Sequence, residues 1–193
     1  MDHHSAIFRS APAIDVLKGN LPHWRQKGAT YAVTFRTTDS IPHNRLSQWQ
    51  LERETWLAQH KPPHTESDLR DYAERFPARM HEWRDGGFGA CLLRRDDLRE
   101  VVEDTLRHFD GIRYTLSGYV VAPNHVHVVV APMPGYALSA ILRNWKSFSA
   151  MKINRILGVR GPFWQKESYD HIVRDVEDLE RILAYIDAHR RWV

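Results

Sequence analysis

The spacing of apolar residues changes period several times along this chain, and each change predicts an element. Residues 1–20 hold no sustained period and are expected to form a loose arm. Ala29-Thr30-Tyr31-Ala32-Val33-Thr34-Phe35-Arg36 is rich in β-branched and aromatic residues and follows Gly28, which predicts a strand ended by Pro42. From Leu46 to Trp83 the spacing turns helical. Lys61-Pro62-Pro63-His64 breaks that run into two or three short helices, with Trp49, Trp56 and Trp83 as packing anchors. Gly86-Gly87-Phe88-Gly89 lacks the Lys-Ser/Thr of a phosphate loop and reads as a turn. Leu98, Val101, Val102, Leu106 and Phe109 then recur at helical spacing, with Asp96-Asp97 as the expected cap and Asp110-Gly111 as the stop.

Two strand-like runs follow, over 113–122 and 124–130, separated by a Pro-Asn corner and closed by Pro132 and Pro134, which predicts an antiparallel hairpin. A long amphipathic helix is expected from about Ala137 to Leu157, with Leu138, Ile141, Leu142, Trp145, Phe148 and Ile156 on or near one stripe. Gly158 and Gly161-Pro162 stop it. A last helix begins near Asp175 and turns Val176, Leu179, Ile182, Leu183 and Ile186 inward. This order predicts an α+β fold: a mainly antiparallel sheet of three or four strands, helices on one face, in a ferredoxin-like arrangement. The expected division is the arm over 1–20 and one domain over 21–193, carrying a helical insertion at about 40–88.

Composition narrows the class. A chain of 193 residues with 42% hydrophobic and 26% charged residues suits one soluble domain with a real core. No apolar stretch approaches the length needed to span a bilayer, and Met1-Asp2-His3-His4-Ser5 has no basic-then-apolar leader, so a cytoplasmic location is expected. The single cysteine, Cys91, excludes an internal disulfide and reads as a small buried hydrophobe. Net charge is only +3, yet the charge is unevenly spread. Arg143, Lys146, Lys152, Arg155, Arg160 and Lys166 follow one another with no acidic residue between them, while acids gather in 96–104 and 175–187. Such a segment suits a polyanion such as nucleic acid.

The candidate chemistry lies in Pro123-Asn124-His125-Val126-His127-Val128-Val129-Val130. Side chains alternate along a strand, so His125 and His127 share a face while Val126, Val128 and Val130 enter an apolar layer. Two neighbouring imidazoles can chelate one divalent ion. One cysteine is too few for a typical structural zinc site, and the chain is too short for an eight-fold barrel with a His-x-His strand. What remains is a metal held against a substrate that brings its own oxygens, as a phosphodiester does. Either water or a side-chain hydroxyl would then attack. Tyr169 and Tyr185 lie downstream, on or beside helices, and ordinary packing is the competing reading for both.

These motifs together resemble a known family. Ala122-Pro123-Asn124-His125-Val126-His127-Val128-Val129 is similar to the His-hydrophobic-His (HUH) motif of single-strand DNA transposases. Trp145-Lys146-Ser147-Phe148 and Asn154-Arg155-Ile156-Leu157 resemble the helix that follows it, and residues 163–175 resemble the segment around the catalytic tyrosine of REP-associated tyrosine transposases. The resemblance covers about 21–193 and is weakest over 40–90. It implies Mg²⁺ or Mn²⁺ on His125 and His127, with Gln165 or His171 as a third ligand. It implies attack by Tyr169, with Tyr185 as the alternative, on single-stranded or hairpin DNA carried by Arg143, Lys146, Lys152 and Arg155. A monomer or homodimer associated with the nucleoid through DNA follows, or a domesticated hairpin-binding protein that no longer cleaves. Two departures stand out. Many relatives carry the nucleophile at the position of Ser168, and many continue Tyr-Ile-x-x-Asn-Pro where this chain has Tyr185-Ile186-Asp187-Ala188-His189-Arg190.

Overall fold

The computed structural model describes residues 15–17, 23–25, 28–41, 43–61, 65–78 and 88–190. The chain divides into two compact units: Asp39–Cys91 forms one, and the segments on either side of it form the other. In the larger unit the elements run β1 (Asp15–Leu17), β2 (His23–Arg25), β3 (Tyr31–Arg36), α3 (Asp96–Arg107), β4 (Tyr114–Ala122), β5 (His125–Pro132), α4 (Leu138–Leu157), β6 (Tyr169–Ile172) and α5 (Val176–Arg190). The smaller unit holds α1 (His43–Gln59) and α2 (Glu66–Ala73). β1, in the stretch expected to be a loose arm, pairs antiparallel with β2, which lies beyond that stretch.

The main sheet has the order β4-β5-β3-β6, antiparallel throughout, as the α+β expectation requires. Alternation along β3 and β5 sorts the side chains. Tyr31, Val33 and Phe35 join Val126, Val128 and Val130 on one face, where Leu98, Val102 and Leu106 of α3 and Leu138, Ile141, Leu142 and Trp145 of α4 cover them. Tyr114 ties these layers: its hydroxyl donates to the Leu106 carbonyl at 2.8 Å and accepts from Trp145 Nε1 at 2.9 Å. Burial pushes the Tyr114 phenol up from its usual range.

The helices do not all lie on one face. Ala32, Val120 and Val129 form a second apolar patch on the reverse side of the sheet, and Leu179 and Ile186 of α5 close over it with Ile182 and Leu183. An apolar patch on each face of central strands requires a cover on each. At the bulge between Leu116 and Gly118 the helix comes so close that a Cβ on Gly118 would stand 2.7 Å from Leu183 Cδ2.

Helix boundaries follow the pattern closely, with three differences. Asp96 and Asp97 sit in the first turn of α3 instead of capping it; Arg95 is the N-cap, and the two acids complement the helix dipole and pair with Arg99 and Arg95. On α4 the buried stripe continues through Ser149 and Ile153, while Phe148 and Ile156 are 45% and 46% exposed. Ser149 is tolerated inside because it donates to the Trp145 carbonyl and accepts from Trp164 Nε1 at 2.9 Å. Val176 opens α5 on its outer side and is exposed.

The smaller unit is built on aromatic packing, as expected for Trp49 and Trp56. Trp49 donates to the Phe76 carbonyl, Trp56 donates to Asp71, and Tyr72 and Phe76 complete the cluster. Thr65 and Asp68 cap α2 reciprocally. Asp39 accepts the Ala90 N–H at 2.7 Å, and Gly89, at φ +89°, leaves no room for a side chain beside Asp39. Trp83, Gly86 and Gly87 lie outside the described residues.

Candidate active site

The Pro123-Asn124 corner sets the histidines in place. Thr37 donates its N–H and its hydroxyl to the Asn124 carbonyl at 2.9 and 3.1 Å, and the Leu93 N–H donates to the Pro123 carbonyl at 3.0 Å. From this anchored turn β5 starts at once with His125. His125 pairs with Ala122 on one side and Arg36 on the other; His127 pairs with Val120 and Thr34. Both imidazoles therefore emerge at the centre of the sheet, on the face covered by α5, with ring centroids 4.6 Å apart. They are buried, 3% and 5% exposed.

Hydrogen bonds define how each ring can act. His125 Nδ1 lies 2.8 Å from Asn124 Oδ1, which can only accept, so Nδ1 carries the proton and the Nε2 lone pair points away. His127 Nδ1 lies 2.8 Å from the Thr34 hydroxyl, which can accept in the same way. This is how metal-binding imidazoles are commonly oriented, with a polar neighbour on one nitrogen fixing the other as donor. Among the described residues no group of three or more His, Cys, Asp or Glu is gathered closely enough to hold an ion by itself. Two neutral nitrogens fit an ion that takes further ligands from a substrate, and imidazole suits Mn²⁺ better than the harder, oxygen-seeking Mg²⁺.

The tyrosines separate clearly. Tyr185, on α5, has its ring centroid 5.3 Å from that of His127 and 4.1 Å from that of His189. His189 follows one helical turn later, with Nδ1 3.1 Å from the Tyr185 carbonyl, and stands 5.9 Å from His127 by ring centroid. Tyr169, expected on or beside a helix, opens the strand β6, which ends at Ile172 shortly before α5 begins at Val176. It pairs with Thr34, which pairs with His127 on its other side, so two strand spacings, about 10 Å, separate Tyr169 from His127. The segment leading to it is extended, bridging Trp164 to Thr37 and packing the Trp164 ring edge-on to Phe35 at 4.8 Å.

The two residues expected as third ligand lie on the β6 side of β3: the Gln165 N–H donates to the carbonyl of Arg36, which pairs with His125, and His171 pairs with Ala32, two residues from the partner of His127. Sequence reasoning passed over Arg36 and His189. Arg36 shares the His125 row and face and is only 5% exposed, which brings a permanent positive charge to the site. The signal was present in the Ala32-Thr34-Arg36 alternation opposite Val33 and Phe35.

Of the four cations expected to carry DNA, Arg143, Lys152 and Arg155 are exposed on α4. Lys146 turns inward and donates to the Lys166 carbonyl at 2.8 Å. Burial lowers its pKa to about 8 against an opposing pull from Glu167.

Residues 93–189 match the family model described as "Transposase IS200 like". Among solved structures, the chain is similar to a REP-associated tyrosine transposase bound to a REP hairpin, at 16% identity, covering 90% of this chain and 76% of that one, with a TM-score of 0.45. It is similar also to a candidate transposase from Deinococcus radiodurans, at 14% identity, covering 83% of this chain and 89% of that one, with a TM-score of 0.43. No curated protein matches the chain. No helix among the described residues is long and apolar enough to cross a membrane.

Proposed function

Because the chain belongs to the family of IS200-like transposases, we propose that it cleaves and rejoins single-stranded DNA beside a hairpin, with Tyr185 as the nucleophile. One observation carries this reading: the Tyr185 ring lies 5.3 Å from His127, on the face of the sheet where His125 and His127 emerge together. The Tyr185 hydroxyl attacks the scissile phosphorus and gives up its proton. The P–O3′ bond breaks, the departing 3′ oxygen takes up a proton, and a 5′-phosphotyrosine remains. The ester conserves the energy of the broken bond, so attack by a 3′-hydroxyl reverses the step and joins strands.

His125 and His127 would hold Mn²⁺ or Mg²⁺ through Nε2, the ion taking its remaining ligands from the substrate and water; His189 stands beside the pair, at the position where relatives carry the Asn of Tyr-Ile-x-x-Asn-Pro. When bound, the ion polarises the phosphoryl oxygens. Arg36 adds fixed positive charge beside His125 and favours the phosphate over neutral ligands. Asn124 and Thr34 keep the two rings in the tautomer that turns Nε2 outward.

The test is a covalent adduct between the protein and a labelled single-stranded hairpin oligonucleotide with Mn²⁺, read on a denaturing gel. Tyr185→Phe is expected to abolish the adduct and Tyr169→Phe to keep it. The opposite pattern returns the role to Tyr169. Tight hairpin binding with no adduct from the wild type overturns cleavage and leaves a hairpin-binding protein.

A further inference from the structure

The outer side of α4 combines features that nothing in the catalytic cleft uses. Phe148 and Met151, three residues apart and neighbours on the helix surface, are 45% and 51% exposed. Large apolar side chains exposed singly are ordinary; two adjoining ones on a charged helix side offer a contact surface. Arg143, Lys152 and Arg155 are exposed among them, and Lys152 Nζ stands 4.7 Å over the Phe148 ring. Between Asp110 and Glu167 the chain contains no acidic residue at all. Within that stretch the helix, hairpin and connecting loops therefore carry only positive charge.

We propose that this side of α4 is a second nucleic-acid site, on which an unpaired DNA segment stacks its bases against Phe148 and Met151 while Arg143, Lys152 and Arg155 take its phosphates. The proposal rests on the family's action on DNA. Charge complementarity selects a polyanion. The exposed ring and thioether select bases that are free to stack, since a duplex stem presents a phosphate backbone that needs cations alone. A second copy of the chain is the poorer occupant, because symmetric packing of this side would bring arginines and lysines against their own counterparts with no acid on α4 to meet them.

Position makes the site distinct from the cleft. α4 packs on the face of the sheet that carries Val126, Val128 and Val130, and the histidines leave the reverse face. A helix with its side chains is about 10–12 Å across, so the outer side of α4 is at least that far from the sheet. The nucleotides held there cannot include the scissile phosphate. They belong to a flank of the same strand or to a partner strand awaiting joining.

The experiment measures fluorescence anisotropy of labelled oligo(dT), and of a blunt hairpin without unpaired flanks, in EDTA so that no strand is cut. Phe148→Ala combined with Arg155→Ala is expected to weaken oligo(dT) binding about tenfold or more. Each cation removed lowers the slope of log K against log salt by about 0.7. Binding of the blunt hairpin stays within about twofold, and Ile112→Ala, which removes an exposed apolar residue elsewhere, changes neither. Oligo(dT) binding equal to wild type in the double variant overturns the proposal. So does a change of oligomeric mass without loss of affinity, which makes the surface an interface between copies. Loss of oligo(dT) affinity in a protein that forms no tyrosyl adduct keeps this proposal and overturns strand cleavage.

Discussion

The two faces of the main sheet are made from the same strands and differ in what they spend their side chains on. On the α3–α4 face, β3 and β5 contribute Tyr31, Val33, Phe35, Val126, Val128 and Val130 to a large apolar core. On the α5 face the intervening positions are Thr34, Arg36, His125 and His127, and small or medium residues such as Ala32, Val120 and Val129 supply the packing. A polar group buried in the centre of a sheet costs stability unless it is hydrogen-bonded. The first face supplies the apolar burial that offsets this cost, and alternation along a strand lets one peptide segment serve both. Stability and chemistry are thus separable here by residue parity.

That separation can be broken deliberately. Leu106→Ala, deep in the α3–α4 core, is expected to lower unfolding free energy by about 2–5 kcal/mol in urea titrations, while adduct formed per folded molecule stays constant. A parallel loss of adduct yield from the remaining folded protein means that the two faces are coupled. Thr34→Val acts on the other side. It removes the partner of His127 Nδ1 and should weaken Mn²⁺ binding about 10–100-fold by electron paramagnetic resonance titration, with little change in unfolding. Unchanged affinity means that Thr34 does not orient the ring.

The smallest effect concerns Lys146, on the apolar side. Its folded pKa, about 8, lies below the usual 10.5 because burial disfavours the ammonium. Between those values the unfolded chain retains a proton that the folded chain has released, so raising pH favours folding. Compared with Lys146→Met, the wild type should gain stability from about pH 8 to about pH 10.5 and show a constant difference below pH 8. A flat difference across the whole range removes the buried-lysine explanation.

Much of this was legible in the sequence because it is local. The His-x-His alternation, the Pro-Asn corner and the 3.6-residue stripe of α4 each depend on a few neighbours, and their faces follow from period alone. The choice between Tyr169 and Tyr185 did not. The resemblance around Trp164 points to Tyr169, one residue past the position of Ser168 where many relatives carry the nucleophile, but residues 163–168 form no helix and deliver Tyr169 to the strand that pairs with β3. Register, a long-range property, decides which tyrosine meets the histidines. The clue that was available lay on α5: Leu179, Ile182, Leu183 and Ile186 cover the reverse face, and Tyr185 with His189 follows the same side of the helix. Phe148 and Ile156 fall on or near the apolar stripe by spacing, and spacing does not show how far along the helix its cover reaches.

The bond between Asp39 and the Ala90 N–H carries a consequence for chain length. It fastens the first residue of the smaller unit to its second-last, so everything between them is a loop with its mouth already closed. The entropy of closing a long loop grows only with the logarithm of its length, and a tied mouth makes even that modest term local to the insertion. Residues between Asp39 and Ala90 can therefore be lengthened, shortened or exchanged among descendants of this chain with little cost to the strands that carry His125 and His127.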